Sequence, residues 1–111
     1  MDSAAILKEL HDRLQSNIPV GQAEWLDLAG KLNDLVSVEQ EKLFSLQQQI
    51  AVESLKFIES GDSVAKAKLK IETLDVFRVM RIQEARIERM LEYIRIGKQH
   101  AKLAADNYNQ Y

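Results

Sequence analysis

Two series of mostly apolar positions, each recurring every seventh residue, organise the chain: Ala29, Val36, Leu43, Ile50 and Phe57, then Thr73, Met80, Ile87, Ile94 and Ala101. Between them lies Ser60-Gly61-Asp62-Ser63. That run suits a reversal, because glycine accepts a left-handed backbone at a helix end and Asp or Ser caps the next helix. Reversal there sets opposite one another residues whose numbers sum to about 123, as in an antiparallel helical hairpin. Ile50 then faces Thr73, Leu43 faces Met80, Val36 faces Ile87 and Ala29 faces Ile94. Both series fall into one register, as the hairpin requires. The same rule predicts further layers: Leu46 with Phe77, Leu32 with Leu91, and Glu53 with Lys70. Leu26 is expected to face Gly97, whose missing side chain leaves room for Trp25. Glu39 opposite Glu84 puts two carboxylates at one level, read as a solvated edge with both side chains turned outward.

Ahead of the hairpin, Asp2 or Ser3 can cap a short helix whose stripe is Ile6, Leu7, Leu10 and Leu14. Asn17-Ile18-Pro19 breaks it, since proline cannot continue a helix but fits the first turn of another. The predicted organisation is all-α and a single domain over 1–111. A short helix spans about 3–14, a linker 15–21, a long helix about 22–59, a turn 60–63, and a second long helix about 63–107. The last helix overhangs its partner, so residues 101–111 are expected to pack on the short first helix.

Not all the apolar surface fits between two helices. Ile71, Leu74, Ile82, Ala85 and Ile96 form a second stripe on the last helix, and Leu26, Phe44 and Leu55 lie off the Leu43 face. A helix with two apolar faces needs two neighbours. The expectation is a homo-oligomer, a helical bundle or ring, joined through Ile71, Leu74, Ile82, Ala85 and Ile96.

Composition narrows the class. The chain has 111 residues, 46% hydrophobic and 29% charged, with one proline and no cysteine. It is therefore neither disordered nor low-complexity, and it has no disulfide, thiolate metal site or thiol nucleophile. No apolar run approaches the roughly 18 residues that cross a bilayer. Met1-Asp2-Ser3 lacks the basic start of a signal peptide, so a cytoplasmic protein is expected, in a bacterial host if the source is viral.

Catalytic patterns are absent from the sequence. There is no glycine-rich phosphate loop, His11 and His100 stand apart, and the serines have no histidine base at a recognisable spacing. A di-metal centre of the ferritin kind needs Glu-x-x-His pairs on facing helices, and the Glu39–Glu84 level has no histidine near it. His11 follows Leu7 and Leu10 and is read as a packed helix-end histidine. The expectation is no enzyme, no metal and no cofactor.

Charge is the remaining signal. The net charge of −2 conceals five Lys/Arg against ten Asp/Glu in residues 1–61, and ten against seven in residues 62–111. Attraction between paired helices accounts for such a split, and so does an anionic partner for the basic helix. Lys66, Lys70, Arg81, Arg95 and Lys102 share one flank of the last helix, with Arg78 and Arg89 on another. Glu84 and Glu92 are placed to pair with Arg81 and Arg89 at i,i+3. Lys66, Lys68, Lys70, Arg81 and Arg95 are the candidate phosphate contacts.

From about Glu24 to Ala104 the layout resembles the UvsY-type recombination mediators of phages. The likeness lies in Leu55-Lys56-Phe57-Ile58-Glu59-Ser60-Gly61, in Val64-Ala65-Lys66-Ala67-Lys68-Leu69-Lys70-Ile71, and in the long helix through Arg78 to Ile94. The resemblance implies an all-helical, ring-forming protein that binds single-stranded DNA and helps to load a recombinase. It also implies a basic pair just before the turn, where this chain has Glu53, Ser54 and only Lys56, so Lys66, Lys68 and Lys70 would substitute. The competing reading is a helical-hairpin adaptor or export-chaperone-like interaction module without nucleic acid. In it, Ile71, Leu74, Ile82 and Ile96 form a groove for a partner helix.

Overall fold

The structure, a computed structural model, describes residues 2–109, with side chains as far as residue 103. Four helices follow in order, α1 (Ser3–Gln15), α2 (Gln22–Glu59), α3 (Val64–Ile71) and α4 (Asp75–Asn109), with no strand among the described residues. This is the all-α, long-hairpin layout expected from the heptads. Packing groups the chain into two compact units. One comprises Met1–Ser37 and Arg86–Tyr111; the other is Val38–Ala85. Expected packing of the tail on α1 falls, beyond residue 103, outside the described side chains.

In the first unit, α1 starts where the Asp2 carboxylate accepts the Ala5 N–H at 2.8 Å. It stops at Asn17, whose φ of 55° turns the chain left-handed. There the Ile18 N–H reaches the Arg13 carbonyl at 2.9 Å and the Asn17 N–H reaches that of Leu14 at 3.4 Å. These two bonds satisfy carbonyls that a plain helix end would leave open. Ile6, Leu7 and Leu10 are buried as their spacing predicts, while Leu14 in the last turn stays exposed. They pack with Trp25, Leu28, Leu32, Met90 and Ile94, and Val20, Val36, Tyr93 and Ile96 close the edges. Gly97 allows α2 and α4 to approach closely: a Cβ there would lie 2.4 Å from the Ala29 Cβ and 3.1 Å from the Trp25 carbonyl oxygen. The glycine thus meets Ala29 and the Trp25 backbone rather than Leu26. The Trp25 ring instead stacks on His100, with centroids 5.4 Å apart and planes at 11°.

In the second unit, α2 ends by the same device as α1. Gly61 has φ 105°, the Asp62 N–H bonds the Phe57 carbonyl at 3.1 Å, and the Gly61 N–H bonds that of Ile58 at 3.0 Å. Ser63 then caps α3, its hydroxyl accepting the Lys66 N–H at 3.2 Å. The unbroken helix expected from 63 is interrupted at Glu72-Thr73-Leu74. Thr73 donates its hydroxyl to the Lys70 carbonyl at 2.7 Å, and the Thr73 and Leu74 N–H groups close tight i→i+3 bonds to Lys70 and Ile71. A threonine side chain that competes for a helix carbonyl breaks a helix without proline. The interruption also moves the buried face: Thr73, expected opposite Ile50, is exposed, whereas Ile71 is buried and Leu74 half-buried. Ala67, Ile71 and Met80 are the buried apolar residues here, with Leu43, Leu46, Ile50, Phe57 and Phe77 half-buried around them.

Along α4 the buried positions are Met80, Gln83, Ile87, Met90, Ile94 and Gly97. The first heptad series is as expected. The second lies one residue earlier, at Gln83 and Met90 instead of Glu84 and Leu91, and Leu91 is exposed. On one helix face the next core position lies three residues beyond the first, and the paired levels had been counted at four.

Candidate nucleic-acid interface

The lysines of α3 rise directly from the turn, and the turn neutralises them. Asp62, its side chain 11% exposed, accepts Lys70 at 2.6 Å and stands 4.0 Å from Lys66. Lys70 also lies over the Phe57 ring, 5.4 Å from its centroid. Lys68 is exposed and makes no ion pair among the described residues. Arg81 pairs with Glu84 at 3.8 Å and covers the Phe77 ring at 5.2 Å. Arg95, in the other unit, pairs with Glu92, and that hydrogen bond holds its guanidinium above the ordinary arginine value. The expected Arg89–Glu92 pair is thus replaced by Arg95–Glu92. Of the five candidate contacts, four are engaged by carboxylates. Lys66, Lys68 and Lys70 share α3, Arg81 begins α4, and Arg95 belongs to the unit built on α1.

A basic cluster that sequence reasoning missed lies in the first unit. Ala4, Leu7, Lys8 and His11 of α1 and Arg86 and Arg89 of α4 line one open groove. His11 is therefore exposed on its rim rather than packed. The signal was present as Lys8 and His11, and Arg86 and Arg89, each one helical turn apart. It required knowing which flank of α4 receives α1.

The two carboxylates expected at one level do not form one. Glu39 is buried, and Gln83 donates to its backbone carbonyl at 2.9 Å and to its carboxylate at 2.6 Å, with Lys42 at 3.4 Å. Glu84 turns to Arg81 instead. No group of three or more His, Cys, Asp or Glu residues that could hold a metal ion occurs among the described residues. His100 is half-buried on Trp25, its Nδ1 without a hydrogen-bond partner among them.

The expected oligomer stripe is also redistributed. Ile71 is buried in its own unit and Ile96 packs on the core of the other, so only Ile82 and Ala85 of the five are exposed. The larger apolar exposure is on α2, where Phe44 is 60% and Leu55 57% exposed, with Val52 beside them. Residues 43–52, Leu-Phe-Ser-Leu-Gln-Gln-Gln-Ile-Ala-Val, carry no charge. No helix among the described residues is long and apolar enough to cross a membrane. Compared with protein families, characterised proteins and solved structures, the chain has no match.

Proposed function

We propose that the chain is a non-enzymatic helical interaction module that acts as a homo-oligomer, with the exposed face of α2 as its contact surface. One observation carries this reading: a ten-residue stretch of a surface helix without charge, presenting Phe44, Gln48, Ala51 and Val52 to solvent and continued by Leu55. Ordinary solvated helix faces carry charge, whereas the centres of interfaces are depleted of it and enriched in aromatics. A neutral patch can meet its own copy without like-charge repulsion, as a two-fold contact requires. Sedimentation equilibrium at micromolar concentration tests it. The wild-type chain is expected above its 12.7 kDa monomer mass. Phe44→Glu is expected to give a monomer of unchanged helix content, because burying an unpaired carboxylate costs several kcal/mol. A wild-type monomer rules the reading out, and an oligomer dispersed by Ile82→Glu but not by Phe44→Glu moves the contact to α4.

A second reading is favoured by the basic groove between α1 and α4 and by exposed Lys68: the oligomer binds single-stranded DNA through phosphates and cooperates with a recombinase. It is the reading implied by the likeness to UvsY-type mediators. Fluorescence anisotropy with a labelled oligonucleotide across a salt series tests it, with log affinity falling linearly in log salt by about 0.7 per phosphate neutralised. No binding at low salt eliminates it.

A further inference from the structure

We propose that the groove between α1 and the turn of α4 carrying Arg86 and Arg89 is a binding site for a phosphate group. Lys8 and His11 stand one turn apart on α1, and Arg86 and Arg89 one turn apart on α4. Residues at that spacing project to the same side of a helix, so the two pairs converge from opposite walls. Ala4 and the buried Leu7 complete the lining, and no carboxylate takes part in it. Lys8, His11 and Arg89 form no ion pair among the described residues, whereas Arg13, Lys31 and Arg95 of the same unit each have a carboxylate partner. This segregation occurs in a unit whose sequence holds eight Lys/Arg against nine Asp/Glu, so it does not follow from the overall balance.

Chemistry selects the ligand. Guanidinium groups bind phosphate oxygens with two parallel N–H donors, and an ammonium adds a point charge beside them. The groove has a volume of about 240 Å³, room for a phosphate and its waters, and no Phe, Tyr or Trp lines it to offer a broad stacking face for a base. Recognition is therefore of the phosphate, whether it is a free phosphate or one unit of a nucleic-acid backbone. The site belongs to the unit built on α1, whereas the α2 contact face and the lysines of α3 belong to the other, so it adds to both functional readings. Its two walls are helices fixed by the core that includes Leu7, Leu10, Met90 and Ile94, so the backbone positions that carry the donors are set before a ligand arrives.

The test uses the whole chain and two probes, inorganic pyrophosphate followed by phosphorus NMR and a fluorescein-labelled oligothymidylate followed by anisotropy. The variants are Lys8→Gln/Arg89→Gln, and Lys31→Gln as a control, since Lys31 pairs with Asp27 outside the groove. All three positions are exposed, and circular dichroism checks that the helices persist. The double variant is expected to weaken pyrophosphate binding at low salt at least about tenfold, and the control less than about twofold, as removal of phosphate contacts predicts. Parallel loss of oligothymidylate identifies a nucleic-acid backbone as the source, and pyrophosphate binding alone identifies a free phosphate. Wild-type binding of neither probe overturns the site, as does unchanged binding by the double variant. If oligothymidylate binding survives the groove changes but is lost with Lys66, Lys68 and Lys70 replaced by Gln, the groove is rejected as the DNA contact while the DNA reading stands. Pyrophosphate binding without any oligothymidylate binding does the reverse.

Discussion

Gln83 grips Glu39 twice with one amide nitrogen, at 2.9 Å from the backbone carbonyl and 2.6 Å from the carboxylate. Both residues are buried, at 6% and 5% exposure. A buried carboxylate is tolerable only while donors replace the water it has lost. Gln83→Leu roughly keeps the volume and removes one of the donors, leaving Lys42 at 3.4 Å, so it is expected to destabilise the chain by about 1–3 kcal/mol, the cost of under-satisfying a buried acceptor. Urea unfolding followed by circular dichroism reads this directly. A midpoint equal to wild type would mean that the other contacts of Glu39, Lys42 among them, satisfy it without Gln83.

Two helical glycines are expected to answer the same substitution with opposite sign. Gly30 has nothing within 4 Å of where a Cβ would stand. Gly30→Ala should stabilise by about 0.5–1 kcal/mol, because alanine loses less backbone freedom in a helix. At Gly97 the new methyl would meet the Ala29 Cβ at 2.4 Å and the Trp25 carbonyl oxygen at 3.1 Å, so α2 and α4 must move apart. Gly97→Ala should cost about 1–3 kcal/mol, as overpacking does. Adding Ala29→Gly should make the double variant more stable than the sum of the two single changes. Equal thermal midpoints for Gly30→Ala and Gly97→Ala would remove the close approach from the account of the fold.

These positions show why the hairpin was legible in the sequence and its details were not. Helix ends are local chemistry, so Gly61 could be named from its type and neighbours and the caps narrowed to Asp2 or Ser3 and to Asp62 or Ser63, of which Asp2 and Ser63 serve. Beyond Thr73 the heptad series holds along α4, through Met80, Ile87 and Ile94, because a stripe along one helix depends only on spacing. Which residue fills the next level depends on the partner, and there Gln83 and Met90 displaced Glu84 and Leu91. Thr73 carried no signal strong enough to outweigh a continuous helical pattern, since its hydroxyl breaks the helix only in the rotamer that reaches Lys70. Ion pairs were the least legible. Arg89 and Arg95 are both three residues from Glu92, and spacing alone cannot choose between them. The basic groove required α1 to be placed on α4, a tertiary fact.

The end of α1 is tied to the start of α2 by an acid-sensitive contact. Arg13 pairs with Glu24 and also donates to the Pro19 carbonyl, while the Gly21 N–H reaches Glu24 at 3.4 Å. The Arg13 hydrogen bond, then that of Gly21, holds the Glu24 carboxyl below the ordinary glutamate value of 4.5. A group depressed in the folded state adds stability above its unfolded value, lost as pH falls through the folded one. Arg13 is raised and stays charged throughout, so the acid dependence belongs to Glu24. Wild type should therefore exceed Glu24→Gln in thermal midpoint at pH 7, with the gap closing only below the glutamate range. A gap that persists undiminished at pH 2 would assign the difference to packing.

Asp62 makes the α3 lysines a test of the DNA reading that does not depend on removing any cation. Its carboxylate accepts Lys70 at 2.6 Å and lies 4.0 Å from Lys66, while Ser63 supplies the helix cap, so Asp62→Asn leaves the start of α3 intact. The change releases two ammonium groups beside exposed Lys68. If single-stranded DNA runs over this turn, the released lysines can reach phosphates that the wild-type chain cannot neutralise. Affinity at low salt should rise, and the slope of log affinity against log salt should steepen by about 0.7 for each phosphate gained. Binding should strengthen alike for all sequences, because phosphate contacts carry no base information. Anisotropy across a salt series on wild type and Asp62→Asn measures both quantities. Oligonucleotide binding with an unchanged slope would take Lys66 and Lys70 out of the interface and turn the search to the groove between α1 and α4.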